Sequence, residues 1–226
     1  MIKCSVIIPC YQDDEKLARL LRQLQQLPNK PCEIIVVDAA NSLDICKHFG
    51  VQRLFSEPCR GQQLRVGARQ AKGEVLWFLH ADAQLSTDPI AAISSALARG
   101  AIGGYFRFRF AKPRVWQACM LEPAIALRCR FGVPYGDQGI FIKRSVYQQI
   151  GGHAPWPLFE EVPLVQSARR CGKFLPLSEP IFIDSRRWRY DGWWRRTWRN
   201  RKLAWSFMCG VTPKELAAKY HSKIDS

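Results

Sequence analysis

Hydrophobic positions follow two alternating rhythms through the first hundred residues. Short apolar runs at residues 5–8, 33–37 and 75–79 read as strands, the first of them buried, and residues 52–55 read as a further strand between them. Between them, apolar residues recur every three or four positions. Leu17, Leu20, Leu21, Leu24 and Leu27 share one face of a helix over residues 15–27. Pro9 is expected to stop the first strand, and Asp38 ends the second. A weaker helix over 43–49 stops at Gly50, and another over 62–72 is closed by Gly73. Asp88 before Pro89 is a favoured start for a helix that runs to Arg99 and ends at Gly100. This order predicts an α/β fold: a mostly parallel, Rossmann-like sheet flanked by helices, with right-handed crossovers. Such sheets bind ligands beyond the carboxyl ends of their strands. Residues 9–13, Asp38 and residues 80–82 all fall at those ends.

The second half changes character. Residues 105–110 alternate aromatic and arginine side chains, the period of a half-buried strand. A helical stretch at 116–129 precedes a segment rich in glycine and proline, 132–139, which carries Asp137. Further strands are expected at 140–142, 174–177 and 181–183, and helices at 146–150 and 160–170. Thr212, Pro213 and Glu215 supply a capping residue, a first-turn proline and a third-position glutamate, so a terminal helix starts there. Neither an internal repeat nor a low-complexity linker interrupts the chain.

Charge alters this picture more than composition does. The 226 residues are 47% hydrophobic, which suits one large domain or one domain with an appendage. Nine cysteines are scattered without a C-x-x-C pair, which suits reduced thiols better than zinc ligands or disulfides. There is no signal-peptide pattern and no apolar run of the roughly 20 residues that crosses a bilayer, so a cytoplasmic location is expected. The formal charge is +15, and residues 186–202 alone hold seven arginines, one lysine and one aspartate. Such a field favours anionic partners. Trp194, Trp198, Trp205 and Met208 can share a helical face, with Arg195, Arg196 and Arg199 pointing elsewhere. Two readings stay open: an interfacial helix on an anionic membrane surface, or a helix packed on the domain with a solvated basic face. The division expected is 1–184 for the domain and 185–226 for a basic, tryptophan-rich helical extension.

Three acidic stations stand out: Asp38, Asp82 and the pair Glu160–Glu161. An aspartate at a strand end can accept hydrogen bonds from a nucleobase or ribose. Asp82 follows an apolar strand and suits an oxygen-preferring divalent ion that completes its shell with water and phosphate. Glu160 and Glu161 open a helix whose dipole favours their charged, basic form. Each has a plain structural alternative: Asp38 and Asp82 as caps, the glutamates as a favourable helix start, His80 as a hydrogen-bonded core histidine.

These segments together resemble family 2 glycosyltransferases of the GT-A fold, in particular a bacterial subgroup associated with radical-SAM and selenoprotein-type domains. Residues 5–11 resemble the opening strand and donor loop, 33–38 the second strand with its base-contacting aspartate, and 78–82 the subgroup's version of the D-x-D motif. Residues 135–139 and 158–162 resemble the acceptor-side loop and the acidic base motif, and 185–188 and 210–213 continue the match. The sequence departs from the family where His80 replaces an aspartate, Glu161 replaces the usual aspartate of the base motif, Ala39-Ala40-Asn41-Ser42 replaces a Gly/Ser-rich turn, and Arg65 replaces an asparagine.

The resemblance implies an inverting transferase. Pro9, Tyr11 and Asp38 would meet the nucleotide of a nucleotide-diphosphate sugar donor. Arg60 and Gly61 would approach the nucleotide or its phosphates, and His80 and Asp82 would lie beside them. Asp82 would hold Mg2+ or Mn2+. Glu161, or else Glu160, would act as base on an acceptor hydroxyl oriented by Asp137. A membrane-facing extension would favour a lipid-linked acceptor. A nucleotidyltransferase on a similar fold is the alternative. A nucleic-acid-binding module leaves the acidic strand ends unexplained, so no nucleic-acid partner is expected.

Overall fold

The computed structural model describes residues 2–40, 45–113 and 115–221. Its strands are β1 (Cys4–Cys10), β2 (Glu33–Asp38), β3 (Gln52–Phe55), β4 (Val75–Phe78), β5 (Gly103–Phe110), β6 (Phe141–Lys143) and β7 (Phe174–Ile183). The helices are α1 (Asp14–Gln26), α2 (Ile45–Phe49), α3 (Arg60–Gln70), α4 (Pro89–Ala98) and α5 (Trp116–Phe131), followed by α6 (Arg144–Gln149), α7 (Glu161–Cys171), α8 (Arg186–Asp191), α9 (Trp193–Met208) and α10 (Pro213–His221). The expected helix over 43–49 is seen from Ile45. Its first two residues, and Asn41 and Ser42 of the preceding turn, lie outside the described residues.

The seven strands form one sheet in the order β3-β2-β1-β4-β6-β5-β7. Pairing is parallel except around β6, which runs against both β4 and β5. Side chains alternate across the sheet and build a core on each face. Val6 and Ile8 pack on the side of Leu17, Leu20, Leu21 and Leu24, whereas Ile7 points to the side of Leu64, Leu76 and Val165. Two caps predicted from sequence are formed. The Asp88 carboxylate accepts from the Ala91 amide at 3.1 Å, and the Thr212 hydroxyl from the Glu215 amide at 3.4 Å.

Two proline expectations need correcting. Pro9 does not stop β1: it pairs opposite Val37, and the Cys10 carbonyl accepts the Ala39 amide at 3.0 Å. Proline removes one donor, and the ladder resumes at the next residue. Residues 174–177 and 181–183 belong to one strand, β7, despite Pro176 and Pro180. β7 lies at the sheet edge, where missing donors are tolerated, and its register against β5 shifts between Tyr105 and Arg107.

The terminal helices are anchored by aromatic rings. Trp188 and Trp193 meet the buried ring of Phe110 edge-on at 5.1 and 4.9 Å. At the other end of α9, Phe207 stacks on Phe159 at 4.7 Å. Arg196 and Arg199 do not simply point to solvent, as the sequence suggested. Both converge on Asp191, at 2.7 and 3.0 Å, and Arg196 is buried against Trp188. The packed reading of this segment holds for one face of α9. Its outward face carries tryptophan as well as basic residues.

Candidate active site

Topology assembles the site. β1, β2 and β4 run in parallel, so Cys10, Asp38 and the segment that follows β4 reach the same edge of the sheet. Because β6 is antiparallel, the residues that precede it, including the turn Gly136–Gln138, arrive at that edge too. His80 and Gly136 touch there so closely that a side chain on Gly136 would sit 2.9 Å from the His80 ring.

Asp82 is half-buried and lines a groove of about 670 Å³ with residues of the β1–α1 turn, Gln84, Asp184 and Arg186. None of Asp38, Asp137, Glu160 or Glu161 lines that groove. On its other side Asp82 acts electrostatically on Asp137. One Asp137 oxygen is shielded from solvent without a hydrogen-bond partner. Burial pushes the Asp137 carboxyl up to about 6; the Arg128 guanidinium opposes that rise and the Asp82 charge adds to it.

The Glu160–Glu161 pair is buried at the start of α7. Both Glu160 oxygens and one Glu161 oxygen lack hydrogen-bond partners, and Arg60 Nε lies 3.7 Å from Glu160. The expectation that the helix dipole keeps Glu161 in its charged form is corrected. Burial comes first, the adjacent Glu160 charge second, and together they hold the Glu161 carboxyl well above the usual carboxylate range. A helix terminus contributes typically less than about 1 kcal/mol, too little to offset full desolvation.

On the donor side, Tyr11 is exposed and Pro9 half-buried at the tip of β1. Asp38 ends β2 but is 0% exposed, and both oxygens are engaged: one by the Ala40 amide at 2.9 Å, the other by Arg53 at 2.8 Å. Arg60 and Gly61 open α3, and only Arg60 faces the acidic cluster. Gly61 is a packing residue: its amide donates to the Trp156 carbonyl at 2.9 Å, and a Cβ would lie 2.0 Å from the Ala154 carbonyl. Its amide is therefore spent on the protein. Arg65, the departure from the family pattern, donates to the Gly151 and His153 carbonyls at 3.1 and 2.8 Å. It ties α3 to the turn leading toward Glu160.

Several contributors were missed in the sequence. Gln63, buried on α3, donates one amide nitrogen to the carbonyls of Cys10 and Val37, at 3.0 and 2.9 Å. Arg128 lies 4.0 Å over the Tyr135 ring, and Tyr135 meets Phe159, whose backbone takes a left-handed φ of 60° immediately before the glutamates. A polar residue on the buried face of α3 was the one available signal for Gln63. Nothing local marked Arg53, Arg128 or Phe207, because their partners are distant in sequence.

No group of three or more metal-ligating side chains is gathered among the described residues. Mg2+ or Mn2+ takes one or two carboxylates and completes its shell with water and phosphate oxygens. The half-buried Asp82 and the unpartnered Asp137 oxygen are donors of that kind.

The mostly parallel sheet with flanking helices is shared with several solved structures. Glucosyl-3-phosphoglycerate synthase from Mycobacterium tuberculosis, in complex with Mn2+, UDP and its glucosylated product, superposes with a TM-score of 0.60 at 14% identity, covering 80% of this chain and 72% of that one. TarS 1–349 from S. aureus in complex with UDP-GlcNAc gives 0.61 at 12% identity, covering 81% of this chain and 58% of that one. Matches at that identity establish the GT-A fold. No curated protein sequence matches the chain. Residues 5–151 match the family described as "Glycosyl transferase family 2". The chain belongs to that family and is a glycosyltransferase.

Proposed function

We propose that the protein transfers a hexosyl group from a nucleoside-diphosphate sugar to an acceptor hydroxyl with inversion at the anomeric carbon, as the bacterial subgroup resembled by its motifs would. The observation that carries this reading is the buried, incompletely partnered pair Glu160–Glu161 on the rim that also carries Asp137 and Asp82. The structural neighbours in complex with UDP and UDP-GlcNAc support a nucleotide-sugar donor.

Tyr11 and Pro9 would receive the nucleobase. Asp38 would accept from it once Arg53, which screens the carboxylate, shifts outward. Arg60 would face the phosphates. Asp82, with Asp137 as second donor, would hold a divalent cation, which would supply positive charge opposite the departing diphosphate. Glu161 takes the acceptor's hydroxyl proton as that oxygen bonds the anomeric carbon; the bond to the diphosphate oxygen breaks and its electron pair leaves with the nucleoside diphosphate. Glu160 is the fallback base. We assign residues 1–184 to the transferase domain and 185–226 to an extension that faces an anionic membrane surface and a lipid-linked acceptor.

A thermal-shift panel of UDP- and GDP-sugars with and without Mn2+ tests the donor. A sugar at about 100 times its dissociation constant adds about 2.7 kcal/mol, and a panel with no stabilising member sinks the reading. Turnover should release nucleoside diphosphate. Pyrophosphate would indicate nucleotidyl transfer instead. Replacing the base, Glu161→Gln, should lower turnover by about 10²–10⁴-fold while donor stabilisation persists.

A further inference from the structure

Helices α5 and α9 share a feature that catalysis leaves unused. On α5 the side chains of Trp116, Met120, Leu127 and Phe131 recur at helical spacing and are exposed, Phe131 by 79%. On α9, Trp194, Trp198, Trp205 and Met208 do the same, Trp198 by 71%.

The two stripes belong to one surface. At the start of both helices, Trp116 and Trp194 meet with ring centroids 6.0 Å apart. Toward their ends a chain of contacts links them again: Arg128 of α5 over Tyr135, Tyr135 against Phe159, and Phe159 stacked on Phe207 of α9. The helices are therefore linked near both ends, and the far link is the aromatic loop carrying Glu160 and Glu161. Exposed basic residues border the stripes: Arg130 on α5, and Arg195, Arg201 and Lys202 on α9. Glu122, an acidic residue on α5, is turned inward to Arg109 and the Phe110 amide.

We propose that α5 and α9 together form a docking face for an anionic lipid bilayer, which seats the mouth of the acidic site at the lipid surface. This deepens the transferase reading and rests on it for the lipid-linked acceptor, but the docking itself needs no turnover. An isolated exposed apolar side chain is ordinary; two adjoining stripes of aromatic, leucine and methionine residues with a basic rim mark an interaction surface. Charge complementarity selects the occupant. Tryptophan settles at headgroup depth, arginine and lysine meet lipid phosphate, and the exposed Arg195, Arg201 and Lys202 lie in this half of the face. No described helix is long and apolar enough to cross a membrane, so the face would lie on the bilayer.

Co-sedimentation with sucrose-loaded vesicles tests this, using phosphatidylcholine alone and mixed with phosphatidylglycerol. The wild type should pellet with the mixed vesicles. Leu127→Ser with Phe131→Ser on α5, and separately Trp198→Ser with Trp205→Ser on α9, should each weaken partition by about tenfold or more. Because these side chains are exposed, wild-type melting is expected. If a variant melts early, quenching of wild-type tryptophan by brominated acyl chains decides instead: quenching supports the face and its absence overturns it. Unchanged partition of the α5 pair overturns the proposal. So does a dimer of the wild type that the substitutions dissociate, since a second copy would then own the face. Donor stabilisation measured on the same preparations keeps the two readings apart. Vesicle binding lost with donor binding kept counts against docking alone, and the reverse counts against the transferase alone.

Discussion

Glu161 sets a sign for pH dependence that an exposed glutamate would not. Its folded-state pKa lies above the ordinary 4.5, and that of Asp137 rises from 3.8 to about 6. The folded state thus holds protons that the unfolded chain releases. That contribution is complete below the unfolded values and fades as pH climbs through the folded ones. Melting temperature should therefore fall between pH 5 and pH 8, and Glu161→Gln should flatten the decline and melt higher than wild type at pH 8. A wild-type profile that rises over this range would contradict the burial of the pair. Arg53 offers an opposite test. Arg53→Met leaves the Asp38 carboxylate without its ion pair and should cost roughly 1–3 kcal/mol in a urea titration. The acidic stations themselves were legible in the sequence because strand ends and helix starts are local signals. The raised pKa of Glu161 and of Asp137 was not, since burial and the charges of Arg60, Arg128 and Asp82 come from separate segments.

At the level of elements, local rhythm foretold most of the sheet. β1, β2 and β4 were legible as apolar runs, α1 as a periodic stripe and α4 by the residues that start and stop it. What failed was the meaning of proline in Pro9, Pro176 and Pro180, where the position of a strand in the sheet decides the outcome. The antiparallel insertion of β6 was also invisible, although it is what brings Asp137 to the rim. Helix α9 carries a testable consequence. Phe207 braces Phe159, which precedes the glutamates in a left-handed conformation. Phe207→Ala should remove about 0.5–1.5 kcal/mol of ring–ring interaction beyond the buried area, read from denaturant midpoints. It should also lower turnover more than donor affinity, because the disturbed loop carries the proposed base and not the proposed nucleotide contacts.

For the whole molecule, the proposed boundary near residue 184 does not divide the core. Phe110 is buried in the main core, yet two of its ring neighbours, Trp188 and Trp193, lie beyond that boundary. A chain ending at residue 184 would expose this part of the core and lose the brace on Phe159. It should melt well below the full chain, or collect in the insoluble fraction, when the two are compared by differential scanning fluorimetry. Equal melting temperatures would show that the extension contributes nothing to the fold.

The Gln63 amide has one more implication. A single nitrogen bonded to both Cys10 and Val37 fixes the gap between neighbouring strand tips, and such bonds are directional and intolerant of sliding. Across the cleft, the wall built from Tyr135, Phe159 and Phe207 is held by ring faces, which shift past one another at little expense. Motion on ligand capture should therefore concentrate in the aromatic wall while the tips of β1 and β2 stay rigid.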